Sequence, residues 1–361
     1  MRLVFAGGGT GGHVYPCVAV VAALRERGLS FDSAYIGTQS GAEAHLVPEH
    51  GIRFYSVPSA PVRERGLVTG ARALWTVGRG VWQAERLLRD LRPSAVFATG
   101  GYVSVPIVVA AWLRGAPVLL FLPDAAPGLA VRATARLVKH VACSTEAALP
   151  YFSRRRAVVT GYPVRPDFWQ ADRADVRRDL GVPDDAPLVL VTGGSQGAHL
   201  INEAVAGRLH EWLALAHLVH LTGTRDEPWL RSVRDALPEV LRPRYRVLGY
   251  AEDLPALMCA ADLAVMRAGA SVIGELPAAG LPAILIPGTY AGAHQRHNAR
   301  YLAGAGAAVM LEESDLLRLL PLARSLLHDP DRLASMAAAA RALQRPDAAQ
   351  RLAAELWRLA S

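Results

Sequence analysis

Short apolar runs of strand length alternate with longer stretches of helical spacing from one end of this chain to the other. Few folds accommodate that pattern, and the leading one is a parallel sheet built from strand-helix-strand units. In the first half the runs are LVFAG (3–7), SAYIG (33–37), AVFATG (95–100), PVLLFL (117–122), HVACS (140–144) and AVVTG (157–161). After GYPVRPDFW (161–169) the pattern begins again with LVLVTGG (188–194), AHLVHLTG (216–223), YRVLGY (245–250), LAVMRAG (263–269) and PAILIP (282–287). The expectation is two doubly wound α/β domains, 1–162 and 163–346, followed by a C-terminal helix over 347–361 that carries Leu352, Leu356 and Leu359 at helical spacing. A chain of 361 residues with 52% hydrophobic content can bury two cores of ordinary size.

Both halves begin with a strand, a glycine-rich loop and a helix, first as LVFAGGGTGGHVYPCVAVVAAL (3–24) and again as LVLVTGGSQGAHLINEAV (188–205). Open parallel sheets bind ligands beyond the carboxyl ends of their strands, so two such domains facing one another would hold an active site in the cleft between these loops. Glycines let backbone amides approach a ligand closely. The helix that follows offers unpaired N–H groups and a positive dipole end to an anion. Both loops therefore read as phosphate cradles, with a tight turn that binds nothing as the alternative for either one alone. Gly7, Gly9 and Gly12 also fit GxGxxG, with Asp32 twenty residues further on. In a dinucleotide site that acid ends the second strand, whereas Asp32 precedes SAYIG and lies at the wrong end. A nicotinamide site is set aside on that ground.

The net charge of +7 is unevenly placed: residues 1–160 hold 18 Lys+Arg against 9 Asp+Glu, and the remainder 21 against 23. A basic N-terminal half suits an anionic partner, whether nucleic acid, an acidic membrane surface or a phosphorylated substrate. Lys139 is the only lysine, so arginine content by itself is weak evidence for binding. Cys17, Cys143 and Cys259 are odd in number, widely spaced and in no CxxC pattern, which favours buried free thiols over a disulfide framework or a zinc site. The single DxD, Asp329 to Asp331, has a proline at its centre, and no metal site is expected from it. No run of 18 apolar residues occurs, and MRLVFA is too short for a signal peptide. A soluble cytoplasmic protein is expected.

Several stretches together carry a resemblance: GGGTGGHVYP (7–16), ATGGYVSVP (98–106), APGLAVR (126–132), GYPVR (161–165), TGGSQGAHLIN (192–202), GELPAAGLPAILIP (274–287) and HQRHNA (294–299). In this order they resemble the MurG-type UDP-N-acetylglucosamine transferase family. That family adds GlcNAc to undecaprenyl-diphospho-N-acetylmuramoyl-pentapeptide, converting lipid I to lipid II in peptidoglycan synthesis. The resemblance implies a GT-B fold of two facing Rossmann-like domains, an inverting mechanism, an acceptor site mainly in the N-terminal domain and a donor site mainly in the C-terminal one. It implies UDP-GlcNAc and undecaprenyl-linked lipid I as substrates and neither a cofactor nor a nucleic-acid partner. It also implies a peripheral position on the anionic cytoplasmic face of the cell membrane, where other cell-wall enzymes are met.

Residue by residue, the resemblance marks His13 as the base that takes the proton from the acceptor hydroxyl. A helix N-terminus disfavours imidazolium, which suits a base; the alternative is that His13 only hydrogen-bonds a neighbouring loop or the lipid diphosphate. Thr10, Gly11 and Gly12 would hold the acceptor diphosphate, with Tyr102 nearby. On the donor side, Gly194, Ser195, Gln196 and Gly197 match the groups that hold the UDP diphosphate, with Arg165 as a cation and no obligatory metal. Glu275 matches the carboxylate that takes both ribose hydroxyls, with a surface glutamate at a helix start as the alternative. Tyr250 and Ala251 match positions beside the uracil, Arg267, Ala270 and Ser271 line the same pocket, and Gln295 matches a reader of sugar hydroxyls. Asn298 supports that loop, and His140, His217 and His220 read as structural.

The segment RERGLVTGARALWTVGRGVWQAERLLRDLRP (63–93) places Arg65, Arg72, Arg79 and Arg86 seven apart, with Trp75 and Trp82 in a second register and no acidic residue between Arg65 and Ala84. Arginines beside tryptophans suit an anionic headgroup surface. The alternative puts the tryptophans in the core and the arginines in plain solvent. Arg154 to Arg156 either extend the basic face or form a solvated loop.

The chain departs from the family where His-Glu-Gln-Asn is usual and Phe121-Leu122-Pro123-Asp124 stands instead, so the asparagine that approaches the donor sugar falls on Asp124. His294 and Ala268 are further departures. These changes touch the sugar-reading positions more than the phosphate or ribose positions. Three other readings stay open: a UDP-sugar transferase acting on another lipid or small acceptor, a non-catalytic UDP-binding membrane scaffold, and a UDP-GlcNAc epimerase.

Overall fold

The computed structural model describes residues 1–8, 11–60, 67–153, 155–194, 196–288 and 294–361, with 67–71 described by backbone alone. These form two compact units, Met1–Val164 together with Arg345–Ser361, and Arg165–Gln344.

The first unit runs β1 (Arg2–Ala6), α1 (Gly11–Glu26), β2 (Asp32–Gly37), α2 (Glu43–Glu49), β3 (Arg53–Ser56), α3 (Leu67–Leu91) and β4 (Ala95–Ala98). It continues with α4 (Gly101–Leu113), β5 (Val118–Leu122), α5 (Leu129–Thr134), β6 (His140–Cys143) and β7 (Ala157–Val159). The second unit holds α6 (Arg173–Leu180), β8 (Leu188–Thr192), α7 (His199–Ala206), α8 (Leu209–Leu215), β9 (His217–Leu221), α9 (Glu227–Asp235) and β10 (Tyr245–Leu248). It ends with α10 (Leu254–Ala260), β11 (Leu263–Met266), α11 (Val272–Ala279), β12 (Ala283–Leu285), α12 (His294–Gly304), β13 (Ala308–Met310), α13 (Leu319–Leu327) and α14 (Pro330–Ala342). A last helix, α15 (Ala348–Ala360), returns to the first unit.

Every strand pair is parallel, in the orders β3-β2-β1-β4-β5-β6-β7 and β10-β9-β8-β11-β12-β13. A parallel sheet covered by helices on both faces needs strands that are apolar on both sides, and β4, β5, β8 and β11 are buried at every position. That is why the apolar runs locate eleven of the strands. The other two, β3 and β13, are short edge strands with half-exposed positions, so RFYS and AVM carry no continuous apolar signal.

One face of the first sheet packs on α3 and α4 through Val4, Ile36, Val96, Leu120, Leu88 and Ile107. An aromatic row runs across the neighbours β1, β4 and β5 as Phe5, Phe97 and Phe121 and ends on Tyr162, which lies after β7, with ring centroids 6.0, 6.1 and 6.2 Å apart. Asp32 opposes Arg2 at the amino-terminal edge of β2 and pairs with it at 3.2 Å, at the opposite end of the sheet from the glycine loop.

Helix α15 buries Leu352, Ala353 and Leu356 and packs on α1, β4 and β5. Arg345 ties its approach to Glu146 at 3.1 Å. The terminal segment thus belongs to the first unit by packing although it follows the second in sequence. In the second unit the fully buried Arg177 donates to the carbonyls of Ala260, Pro183 and Ala186 and pairs with Asp262 at 3.3 Å. Cys17 and Cys143 are buried free thiols pushed up to about 12 by burial, and Cys259 is half-buried and free. Among the described residues no helix is long and apolar enough to cross a membrane.

Candidate active site

In the first sheet the strand order reverses between β1 and β4, so the loops that leave these neighbours diverge and open a crevice at their carboxyl ends. The crevice is bounded by the loop that begins at Gly7, of which Gly9 and Thr10 lie outside the described residues, and by Gly100–Gly101. His13 is the third residue of α1 and half-buried, and its Nδ1 lies 2.8 Å from the carbonyl oxygen of Thr99. A carbonyl can only accept, so Nδ1 carries the proton and Nε2 of the neutral ring keeps its lone pair. Nε2 faces Gly101, where an added Cβ would sit 3.6 Å away and where φ is +73°.

The helices on either side of this crevice share one device. Pro16 is the sixth residue of α1 and Pro106 the sixth of α4. Each proline lacks the N–H that would bond the carbonyl four residues earlier. The carbonyl freed in α1 is that of Gly12, and the Tyr162 hydroxyl donates to it at 2.9 Å. The carbonyl freed in α4 is that of Tyr102, and the Ser59 hydroxyl donates to it at 2.8 Å. Both first turns are therefore fixed by hydroxyls from remote segments, and Gly11, Gly12, His13 and Tyr102 are brought to one switch point. Tyr102 is 38% exposed.

Glu43 forms the floor of the loop. Its fully buried Oε1 accepts from the Thr38 N–H at 2.9 Å and the Thr38 hydroxyl at 2.7 Å. A Cβ added to Gly8, whose φ is +150°, would lie 2.1 Å from that same oxygen, so the loop backbone rests directly on the carboxyl group. Asp124 follows β5 and is half-buried, with its loop fixed where the Ser144 hydroxyl donates to the Pro123 carbonyl at 2.8 Å. Phe121 and Leu122 are fully buried in the sheet, so two of the four positions that depart from the family pattern are core residues in this chain.

In the second sheet the order reverses between β8 and β11. The loop after β8 presents Gly194 and Gln196 to solvent, while Ser195 lies outside the described residues. Gly197 has φ of +72°, and a Cβ there would sit 2.2 Å from the Thr222 carbonyl oxygen. Only glycine lets this loop lie so close to the segment after β9. Behind it runs a continuous polar chain. Tyr245 meets His220 at 2.9 Å, His220 meets Asn202 at 3.0 Å, and Asn202 donates to Thr222 O at 2.9 Å and Asp226 at 2.8 Å. Asp226 in turn meets His199 at 2.8 Å. Burial pushes His220 down to about 3, so its ring serves as a neutral strut.

Around the loop after β11, Ser271 precedes α11 and Glu275 lies in its first turn, half-buried. Desolvation raises the Glu275 carboxyl, opposed by the Ser271 side-chain hydrogen bond and the Arg165 charge. Arg165 also donates to the Glu252 carbonyl at 2.8 Å, which anchors the loop bearing Tyr250, 53% exposed, and the half-buried Ala251. Arg165, the 250–252 loop, Ser271 and Glu275 thus form one cluster, with Ala270 beside them in sequence. Arg267 is 6% exposed and its guanidinium is held by Glu313 and by the Ile286 carbonyl at 3.3 Å, so it braces the loop from inside. The Gln295 side-chain oxygen accepts from the Gly288 N–H at 2.8 Å, and buried Asn298 donates to Ala268 O at 3.0 Å. Among the described residues no three potential ligands gather as a metal site. Asp329 caps α14, accepting from the Arg332 N–H at 3.0 Å.

Trp75 and Trp82 point away from the core, 72% and 56% exposed, while Ala73, Ala84 and Leu88 of the same helix are buried. Arg72, Arg79 and Arg86 are exposed beside them, and Arg86 lies 4.2 Å over the Trp82 ring. Trp112 and Leu113 add exposed apolar surface at the end of α4, which Arg114 ties to Glu85 of α3 at 2.8 Å. Arg65 and Arg154 lie outside the described residues.

Reading from sequence missed Thr99, Tyr162 and Glu43 as supports of the loop. The prolines six residues into α1 and α4 were the visible signal for freed carbonyls, but nothing local announced which hydroxyl would take them.

Comparison with known proteins agrees with this geometry. Residues 3–143 match the N-terminal domain of glycosyltransferase family 28, and 188–352 match its C-terminal domain. A Roseiflexus sp. (strain RS-1) protein named UDP-N-acetylglucosamine--N-acetylmuramyl-(pentapeptide) pyrophosphoryl-undecaprenol N-acetylglucosamine transferase is 40% identical over 98% of this chain and 94% of its own. A protein of the same name from Desulforudis audaxviator is 40% identical over 96% of this chain and 95% of its own. The crystal structure of Acinetobacter baumannii MurG superposes with a TM-score of 0.75 at 26% identity, covering 99% of both chains.

Proposed function

Since this chain belongs to glycosyltransferase family 28 and has its GT-B type of fold, we propose that it transfers GlcNAc from UDP-GlcNAc to the muramoyl 4-hydroxyl of undecaprenyl-diphospho-MurNAc-pentapeptide. The observation that carries the mechanism is the contact of His13 Nδ1 with the Thr99 carbonyl, which leaves Nε2 as a proton acceptor at the switch point of the first sheet. The acceptor hydroxyl gives its proton to Nε2 as its oxygen attacks the anomeric carbon, and UDP leaves from the opposite face, inverting the configuration.

Gly11 and Gly12 offer the α1 amino terminus to the acceptor diphosphate, the group that the family resemblance also assigns to Thr10 and Tyr102. In the second unit Gly194, Ser195, Gln196 and Gly197 cradle the UDP diphosphate and stabilise the charge that grows on it. Arg165 supplies positive charge and holds the loop whose Tyr250 and Ala251 flank the uracil. Glu275 accepts both ribose hydroxyls, with Ala270 and Ser271 shaping that pocket and Arg267 bracing it. Gln295 and Asp124 read the sugar.

A polyprenyl acceptor lives in a membrane, and the exposed tryptophans and arginines of α3 supply a surface for its anionic face. The protein then acts as a peripheral enzyme at the cytoplasmic side.

The test is release of UDP from UDP-GlcNAc with and without a short-chain lipid I analogue. Release that depends on the analogue is expected. Release without it, or none with it, refutes the reading. His13→Ala should lower turnover far more than donor affinity, and an unchanged rate removes His13 as the base.

A further inference from the structure

We propose that Thr99 is the positioning residue of the base, a role that rests on His13 being that base. Two hydrogen bonds running in opposite directions join this pair. The His13 ring donates from Nδ1 to the Thr99 carbonyl at 2.8 Å, and the Thr99 hydroxyl donates to the His13 carbonyl at 2.7 Å. One bond would leave the ring free to pivot about it. The bond from Nδ1 directs the ring, and the bond from the Thr99 hydroxyl ties the His13 main chain to the end of β4, so the side chain swings from an anchored backbone.

Thr99 is itself immobilised. It is fully buried, it directly follows β4, and its N–H continues the β1 ladder by donating to Ala6 O at 2.9 Å. After it the chain turns through Gly100 and Gly101, at φ of +78° and +73°. The space for its hydroxyl exists because residue 7 is glycine: a Cβ there would lie 2.1 Å from Thr99 Oγ1. Gly7, His13 and Thr99 therefore form one unit across the β1–β4 switch point, and the first glycine of the loop serves the base as well as the phosphate. Valine would match threonine in shape but could not donate, so the His13 carbonyl would lose its tether while the packing stayed.

The consequence is a ring held with Nδ1 protonated and Nε2 presented as acceptor. Positioned general bases contribute about 10²–10⁴ in rate, so partial loss of positioning is worth roughly tenfold or more in turnover.

The experiment compares wild type, Thr99→Val, Thr99→Ser and His13→Gln. Long-range ¹H–¹⁵N spectra of histidine-labelled protein identify the His13 ring by its loss in His13→Gln and report which nitrogen carries the proton. The wild type is expected to show the Nδ1–H form. Thr99→Val keeps the carbonyl that holds Nδ1–H, so it is expected to keep that tautomer while lowering kcat about tenfold with donor KM unchanged, and Thr99→Ser to restore the rate. An Nε2–H ring in the wild type overturns the proposal without any variant. So does a Thr99→Val enzyme with wild-type kcat, or a Thr99→Ser enzyme as slow as Thr99→Val. Should Thr99→Val fail to fold, Thr99→Ala against Thr99→Ser makes the same comparison. Unchanged turnover in His13→Gln would sink the base instead, and the proposal with it. A collapse in His13→Gln beside an unaffected Thr99→Val sinks the positioning role alone.

Discussion

Replacing Trp75 and Trp82 together by serine removes the apolar half of the exposed stripe on α3. The two rings are 72% and 56% exposed. At roughly 200 Å² of side chain each, they offer about 250 Å² to whatever lies outside. Complete burial at ~25 cal/mol/Å² would be worth about 6 kcal/mol. A helix lying in an interface sinks only part of its face, so about 3 kcal/mol is a reasonable expectation, or roughly two orders of magnitude in partition coefficient. Arg72, Arg79 and Arg86 interleave with the tryptophans three and four residues apart on the same face. Each should add about 1 kcal/mol on an anionic surface, screened by salt. The assay is co-sedimentation with phosphatidylglycerol-containing vesicles across a salt series, beside turnover on a water-soluble short-chain acceptor. The double serine variant should bind vesicles about a hundredfold less tightly and keep its turnover on the soluble acceptor. Arg72→Gln with Arg79→Gln should weaken binding at low salt and matter little at high salt. Vesicle binding that survives the loss of both tryptophans would refute a membrane role for this face.

Three further outcomes follow from the same geometry. Desolvation raises the Glu275 carboxyl in the folded state, so the folded protein holds that proton more tightly, and the stability this gives is present below the unfolded value of about 4.3 and lost as pH rises from there through the higher folded value. Glu275→Gln should therefore melt higher than wild type near neutral pH, the gain closing below that value, while UDP affinity falls; calorimetry across pH and a UDP titration check both. Tyr162→Phe strips the donor from the Gly12 carbonyl that Pro16 cannot satisfy, and should cost about 1–2 kcal/mol in urea unfolding and raise acceptor KM with donor KM unchanged. Gly197→Ala forces a Cβ to within 2.2 Å of the Thr222 carbonyl at φ of +72°, so UDP affinity should fall roughly tenfold while vesicle binding is unaffected.

The loops of the candidate site were legible because they are glycine loops that directly follow strands. A parallel strand buried on both faces must be apolar throughout, which made β1, β4, β8 and β11 visible as runs, and the loops at their ends follow from them. β3 and β13 were invisible for the converse reason, being short edges with mixed burial. The heptad spacing of Arg72, Arg79 and Arg86 was equally plain, but the face their neighbours took was not. Trp75 and Trp82 fit a core stripe as well as a surface one until Ala73, Ala84 and Leu88 are seen to fill the buried side.

Local spacing alone determined the two-sheet plan and the two strand-loop-helix entries, because periodicity and glycine content act over neighbours in the chain, whereas the individual candidate residues were named by the family resemblance. Tertiary structure decided what holds those residues in place. His13 meets Thr99 across 86 positions, Gly12 meets Tyr162 across 150, and Arg165 meets Glu252 across 87. α15 leaves the unit it follows to close the one that began the chain. Such contacts are selected by the packing of whole sheets, which brings distant strand ends side by side. A proline can announce that a carbonyl will be free, but only the assembled sheet supplies the hydroxyl that takes it.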